Sequence, residues 1–246
     1  MSFGDQELKP GSDLGVRTAS GVVMMGVAIA AMWIGGWVFG ALIIAIGLAV
    51  YWEWMRLVVK FAEGTVARSI WFVAGLIYIV LACFALLWLG IGRISANAGV
   101  SLAIMPIAAV IGTDVGAYFA GRTFGGPKIA PSISPSKTWS GLVGGAIGAS
   151  LAISQTFSYP FSKFWGDNLL HPSVYFEPRY YHFIILGIAV AVIAQSGDFF
   201  ESWMKRRAGV KDSGNLIPGH GGVFDRTDGI IAVAFVIALL TLAGVL

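Results

Sequence analysis

The chain has 246 residues, of which 57% are hydrophobic and only 12% are charged, whereas soluble domains carry about 25% charged residues. This composition excludes an ordinary soluble enzyme and predicts an integral membrane protein. The single cysteine, Cys83, lies in an apolar run, which excludes an internal disulfide and zinc–thiolate chemistry. The net charge of +3 is small and unevenly distributed. We therefore interpret it as membrane topology and expect no nucleic-acid partner.

The predicted elements begin with a polar segment, residues 1–16, which we interpret as a cytoplasmic tail rather than a secretory signal, because one apolar run follows another behind it. The remainder, 17–246, is the predicted membrane domain. We expect an all-α polytopic bundle of about seven transmembrane helices, whose first two form a hairpin hinged at Gly35 and Gly36. The predicted spans are roughly 18–34, 36–55, 69–90, 99–120, 139–158, 181–203 and 229–246. Eight or nine helices result if a long run is broken or if 159–180 holds a re-entrant piece.

Basic residues indicate the orientation, because cytoplasmic loops are enriched in lysine and arginine. With the N-terminus inside, 13 of the 16 basic residues are cytoplasmic, and only Arg93, Lys163 and Arg179 lie outside. This orientation places the two polar loops, 121–138 and 204–228, on the same cytoplasmic face.

Aromatic and small residues support the same arrangement of helices. Six tryptophans fall near predicted helix ends, where indole rings anchor proteins at the membrane interface. They are Trp33, Trp37, Trp52, Trp54, Trp71 and Trp88. Gly144 and Gly148 are four residues apart in an apolar helix, which predicts close packing against a neighbouring helix.

Four acidic residues cluster at the ends of two predicted helices. Asp198 and Glu201 are three residues apart at the cytoplasmic end of the sixth span, and Asp225 and Asp228 are three apart at the entry to the seventh. Carboxylates this close repel one another unless cations intervene, and oxygen donors suit hard ions such as Mg²⁺. The alternative is ion pairing with nearby basic residues. We prefer ion pairing for Glu201 and a metal for the three aspartates.

The other polar loop and the helix before it supply further candidates. Asp114 lies near the cytoplasmic end of the fourth span, where a structural pair with Arg122 or another base and a catalytic role are equally favoured. The loop offers cations and hydroxyl groups that can bind phosphate oxygens. They are Arg122, Lys128, Ser134, Ser136, Lys137 and Thr138. The loop lacks the Walker A pattern, and binding of anionic lipid headgroups is its alternative role.

The segment 202–228, SWMKRRAGVKDSGNLIPGHGGVFDRTD, closely resembles the signature of phosphatidate cytidylyltransferases, also called CDP-diacylglycerol synthases. The matching positions are Ser202, Lys205, Arg206, Lys211, Asp212, Pro218, His220, Gly221, Gly222, Asp225, Arg226 and Asp228. The GDFFES, TDVGAYFAGRTFGG and SPSKTW stretches are also similar to family features. Two positions depart from the family pattern: Ser136 replaces a usual Lys, and Ser140 replaces a usual Glu.

The resemblance implies transfer of a cytidylyl group from CTP to phosphatidic acid in the inner (plasma) membrane of a bacterium, with the active site facing the cytoplasm. The expected cofactor is Mg²⁺, with a second cation, K⁺ or Mg²⁺, left open. The expected metal ligands are Asp198, Asp225 and Asp228, and the other catalytic residues are Lys205, Arg206, Lys211, Asp212 and Arg226. The expected substrate-binding residues are Asp114, Arg122, Ser134, Lys137, Thr138, Ser202, His220, Gly221 and Gly222. Expected partners are CTP, phosphatidic acid and the lipid bilayer, with a homodimer as the open alternative to a monomer.

Two other functions share some of these sequence features. A CDP-alcohol phosphotransferase also uses clustered aspartates and a divalent metal, but its DGxxAR and GxxxDxxxD spacing is absent. A cation transporter also places acids within a helical bundle, although such sites usually lie near the membrane midplane. The acids in this chain cluster at one face beside many cations, which disfavours transport of a metal ion.

Overall fold

A computed structural model describes residues 10–91, 101–156 and 180–245 of the chain. Within these residues there are seven α-helices and one two-stranded antiparallel sheet. The elements in chain order are α1 (Pro10–Ile34), α2 (Gly36–Phe61), α3 (Thr65–Ile91), α4 (Ser101–Phe124), β1 (Lys128–Ala130), β2 (Ser134–Thr138), α5 (Trp139–Thr156), α6 (Tyr180–Arg207) and α7 (Phe224–Leu242). Each predicted span corresponds to one of these helices. The possible re-entrant piece, expected within 159–180, falls on residues that, apart from residue 180, lie outside the described ranges.

Five of the described helices are long and apolar enough to cross a membrane, judged by length and composition: α1, α2, α3, α4 and α6. Their outward faces carry large apolar side chains, such as Trp37 at 82% exposed and Leu48 at 67%. Apolar surface on this scale is stable against lipid and unfavourable against water. The prediction of an integral, predominantly helical membrane protein is confirmed. That α5 and α7 also span the bilayer remains a prediction.

The helix boundaries follow from glycine conformations at the turns. Gly35 and Gly36 have φ values of 66° and 53°, which residues with a side chain rarely adopt. They reverse the chain between α1 and α2, as the predicted hinge requires. Helix α1 begins at Pro10, so residues 10–16 of the predicted tail are helical.

The β-hairpin is a feature that the sequence did not predict. It lies in the loop 121–138, where β1 pairs with β2 between the ends of α4 and α5. The Thr138 hydroxyl accepts a hydrogen bond from the Gly141 amide at 3.1 Å, and Ser140 donates to the Gly125 carbonyl. These bonds fix the hairpin to the start of α5.

Glycines bring α4 and α5 into backbone contact. Gly112 faces Gly148, and Gly116 faces Gly144, so that a Cβ atom added at Gly112 would lie 2.6 Å from the Gly148 carbonyl oxygen. Small residues permit such close approach between membrane helices. The predicted packing role of Gly144 and Gly148 is confirmed.

The core is built around Trp54, for which the prediction of an interfacial anchor is wrong. Its side chain is only 2% exposed, and its indole N–H donates to the Trp71 carbonyl at 2.9 Å. The ring lies 5.7 Å from that of Phe200 and 5.9 Å from that of Phe224. Trp54 therefore joins α2 to α3, α6 and α7, whereas the exposed Trp33 and Trp37 fit the interfacial prediction.

The glycine contact between α4 and α5 predicts that Gly148→Ala destabilises the protein by about 1–3 kcal/mol, because the added methyl overlaps the backbone of α4. The midpoint of thermal unfolding in detergent measures the effect. Gly26→Ala is the control, because a Cβ there meets no atom within 4 Å. Equal midpoints for the two variants would contradict the packing role.

Candidate active site

The signature loop, residues 208–223, connects α6 to α7 and is anchored by α1. Ile217 and Gly221 pair across a tight turn, in which Gly219 and Gly221 have φ values of 74° and 87°. The Ser20 hydroxyl of α1 donates to the Pro218 carbonyl at 2.9 Å and lies 2.8 Å from His220 Nδ1. His220 therefore helps to hold the turn in place.

Glu53 holds the other end of the signature loop from inside the core. Its side chain is fully buried on α2. The carboxylate accepts hydrogen bonds from the backbone amides of Val223 at 3.1 Å and Phe224 at 2.8 Å, and from the Ser213 hydroxyl at 3.0 Å. These bonds satisfy amides at the start of α7, which otherwise lack partners. A Cβ atom at Gly222 would collide with this group, so the position favours glycine.

Lys205 lies between two carboxylates at the mouth of α6 and α7. Its ammonium group is 2.6 Å from Glu201 and 2.7 Å from Asp225. The preference for ion pairing at Glu201 is confirmed. Asp225 is also tied to the loop, because its Oδ2 accepts hydrogen bonds from the Ser213 amide at 2.9 Å and the Gly222 amide at 2.8 Å.

The ammonium group of Lys137 provides positive charge to a second group of acidic residues. It pairs directly with Asp198. Burial lowers the pKa of the Lys137 ammonium, while the negative charges of Asp228, Asp114 and Glu201 act to raise it. The β-hairpin thus brings Lys137 close to carboxylates of α4, α6 and α7, which lie far from it in the sequence.

The remaining predicted residues are distributed around these two groups. Arg206 donates to the Ile133 carbonyl at 3.5 Å and links α6 to the hairpin. Arg122 donates to the Tyr118 hydroxyl at 2.7 Å, so the pairing considered between Arg122 and Asp114 is replaced by a contact within α4. Ser134 and Thr138 are buried, and Ser202 is half-buried.

Three cavities adjoin the acids. The signature-loop cavity has a volume of about 440 Å³ and is lined chiefly by Arg17, Lys211, Asp212, His220, Gly221 and Arg226. The hairpin cavity has a volume of about 390 Å³ and is lined chiefly by Asp114, Tyr118, Arg122, Ser136, Lys137 and Gln195. The apolar cavity has a volume of about 460 Å³ and is lined chiefly by Trp54, Trp71, Tyr78, Gly197, Phe200 and Phe235. The signature-loop cavity is mainly polar, the apolar cavity is almost entirely apolar, and the hairpin cavity combines an apolar wall with a few polar groups. The three spaces can therefore receive chemically different parts of the substrates.

Comparison with known proteins identifies the family. Residues 58–243 match the Cytidylyltransferase family. The chain belongs to this family. A protein named phosphatidate cytidylyltransferase from Brucella suis biovar 1 (strain 1330) is 33% identical over 275 residues, which cover 95% of this chain and 94% of the relative. The protein of that name from Rickettsia bellii (strain RML369-C) is 35% identical over 227 residues, covering 92% of this chain and 90% of the relative. The resemblance noted in the sequence is confirmed.

Two of the three residues predicted to bind a metal fit Mg²⁺. Asp198 and Asp228 offer hard oxygen donors and already share the positive charge of Lys137. Asp225 fits less well, because both of its oxygens are engaged by Lys205 and the signature loop. Within residues 10–91, 101–156 and 180–245, no group of three or more His, Cys, Asp or Glu side chains is arranged as a ready metal site.

Sequence reasoning did not identify the groups that support the signature loop from other helices. Glu53 contacts the signature loop from α2, and Ser20 contacts it from α1. Ser213 is part of the loop itself and bonds to Glu53. Glu53 carried a usable signal, since a carboxylate in an apolar helix needs a partner. The identity of that partner depends on packing between residues 160 to 171 positions apart.

Glu53→Gln should destabilise the protein by about 1–3 kcal/mol and reduce turnover, because an amide NH₂ replaces one of the two acceptor oxygens and faces backbone donors. Thermal unfolding in detergent measures the first effect. Glu63→Gln, at an exposed position after α2, is the matched control. A Glu53→Gln protein as stable as this control would exclude the anchoring role.

Proposed function

We propose that this chain is a phosphatidate cytidylyltransferase, which transfers a cytidylyl group from CTP to phosphatidic acid and releases pyrophosphate. The observation that carries the proposal is the family signature folded onto a paired arrangement of lysines and carboxylates at the mouth of α6 and α7. The relatives that bear this name match almost the whole chain. An integral membrane enzyme is suited to a substrate that resides in the bilayer.

In the proposed reaction, a phosphate oxygen of phosphatidate forms a bond to the α-phosphorus of CTP while the bond to the pyrophosphate oxygen breaks. The reaction requires no general base, because a phosphate monoester has a second pKa of about 6 and is largely ionised at neutral pH. Its difficulty is the approach of two anions. Positive groups that hold both phosphates reduce this repulsion and orient the attacking oxygen.

The cations of the chain are suited to these tasks in two groups. Lys211 and Arg226 line the signature-loop cavity, where they would hold the triphosphate with the aid of backbone amides at Gly221 and Gly222. Lys137 would leave Asp198 to contact a phosphate at the reaction centre. Lys205 stays between Glu201 and Asp225 and keeps α6 and α7 in register.

Asp198 and Asp228 would hold Mg²⁺, which when bound supplies positive charge to the attacking and leaving oxygens. Asp225 would support this arrangement through Lys205 and the signature loop. Asp212, which is exposed beside Lys211, would orient that lysine or contact the metal through water.

The lipid would approach from the apolar side of α6. The lining of the apolar cavity includes Gly197, which directly precedes Asp198 in the chain, and Ala232, which follows Asp228 by one turn of α7. Acyl chains placed there would remain within the bilayer, while the phosphate reached the acids. The bacterial relatives and the distribution of basic residues support a location in the inner membrane, with the polar face toward the cytoplasm.

Replacement of a proposed metal ligand tests the assignment. Asp228→Asn should lower turnover of CTP and phosphatidate by about 100-fold or more in detergent, because one anionic donor is removed from the reaction centre. Release of CDP-diacylglycerol and pyrophosphate is measured together with thermal stability. Glu63→Gln should retain full turnover. A stable Asp228→Asn protein with normal turnover would exclude this residue from the site.

The metal requirement is tested on the unmodified protein. Chelation by EDTA should abolish cytidylyl transfer, and excess Mg²⁺ should restore it, because uncompensated repulsion among the anionic groups raises the barrier. Asp198→Asn should raise the Mg²⁺ concentration needed for half-maximal rate. Transfer that continues at full rate after complete chelation would refute a divalent-ion mechanism.

A further inference from the structure

Gln195 is a buried polar residue to which no role has yet been assigned. It lies on α6 with 4% of its surface exposed. Its Oε1 atom is buried, and no hydrogen-bond partner for it is found in the described part of the chain. A buried carbonyl oxygen without a partner costs free energy, so it calls for a donor from outside the described residues, such as water or a ligand. Gln195 also lines the hairpin cavity.

The hairpin cavity adjoins the proposed reaction centre. Gln195 precedes Asp198 by three residues, so the two side chains lie on neighbouring parts of one face of α6. Lys137 lines the same cavity and pairs with Asp198. A ligand that fills this cavity therefore adjoins both Gln195 and Lys137.

We infer that the hairpin cavity receives the cytosine ring of CTP and that Gln195 recognises its edge. The carboxamide presents an acceptor beside two donors. Cytosine presents the complementary pair, an exocyclic 4-amino donor beside the ring N3 acceptor. One base would thus satisfy the buried Oε1 and the amide NH₂ together. The inference rests on the proposed transfer from CTP.

The lipid substrate is a poorer match to this cavity. Its glycerol esters are acceptors only, so they would leave Gln195 Oε1 without a donor. The apolar cavity instead involves Gly197, which is about 200° around α6 from Gln195. Asp198 lies between these two directions. Nucleotide and lipid would therefore reach the acids from different sides of the same helix.

The test compares CTP with a pyrimidin-2-one ribonucleoside triphosphate, which lacks the 4-amino group. The unmodified enzyme should use the analogue with kcat/KM lower by about 10-fold or more, because Gln195 Oε1 loses its donor. In Gln195→Leu, kcat/KM for CTP should fall and the ratio between the two nucleotides should approach one. The KM for phosphatidate should stay unchanged. Thr241→Val, which removes a hydroxyl bonded within α7 far along the helix, is the control that should retain the original ratio.

Three results would overturn the inference: equal use of both nucleotides by the unmodified enzyme, an unchanged ratio in Gln195→Leu, or a change confined to the KM for phosphatidate. The ratio does not depend on the fraction of folded enzyme. If Gln195→Leu is inactive, Gln195→Asn is measured in the same way, with the shortened carboxamide expected to reduce the ratio. Absence of any transfer from CTP in the unmodified protein would instead refute the proposed function itself.

Discussion

The buried carboxylate of Glu53 is the interaction on which the arrangement of the active site depends. It has no basic partner among the described residues, and its charge is stabilised by backbone amides and a hydroxyl at the start of α7. The positive end of the helix dipole contributes to the same effect. Because the first turns of α7 carry Asp225 and Asp228, a bond made in the core of α2 sets where these acids lie.

The second constraint is compensation of charge before any substrate arrives. Lys205 forms ion pairs with Glu201 and Asp225. Lys137 forms an ion pair with Asp198, and the charges of Asp228 and Asp114 also act on it. Half-buried acids without such partners would repel one another and disfavour the close packing of α6 against α7. The two lysines differ in their surroundings as a result: Lys205 lies between two carboxylates of α6 and α7, whereas Lys137 sits on the hairpin and lines the hairpin cavity.

The sequence predicted the helices, the hinge and the signature residues, because these depend on local composition and spacing. Apolar length determines a membrane helix almost independently of its neighbours, and Gly35–Gly36 encodes its own turn. The sequence did not predict the β-hairpin or the burial of Trp54. The position of Glu53 against Ser213 also depended on which distant segments pack together. Single-sequence periodicity contains no information about such pairs.

The close glycine contacts between α4 and α5 have an implication for how such positions evolve. The hairpin that carries Lys137 is suspended between these two helices, so the separation of their axes determines where the ammonium group stands. Residue size along these glycine contacts is consequently constrained by the position of Lys137 as well as by packing between the two helices. A glycine that packs only against the backbone of a neighbouring helix can in this way influence the geometry of the active site.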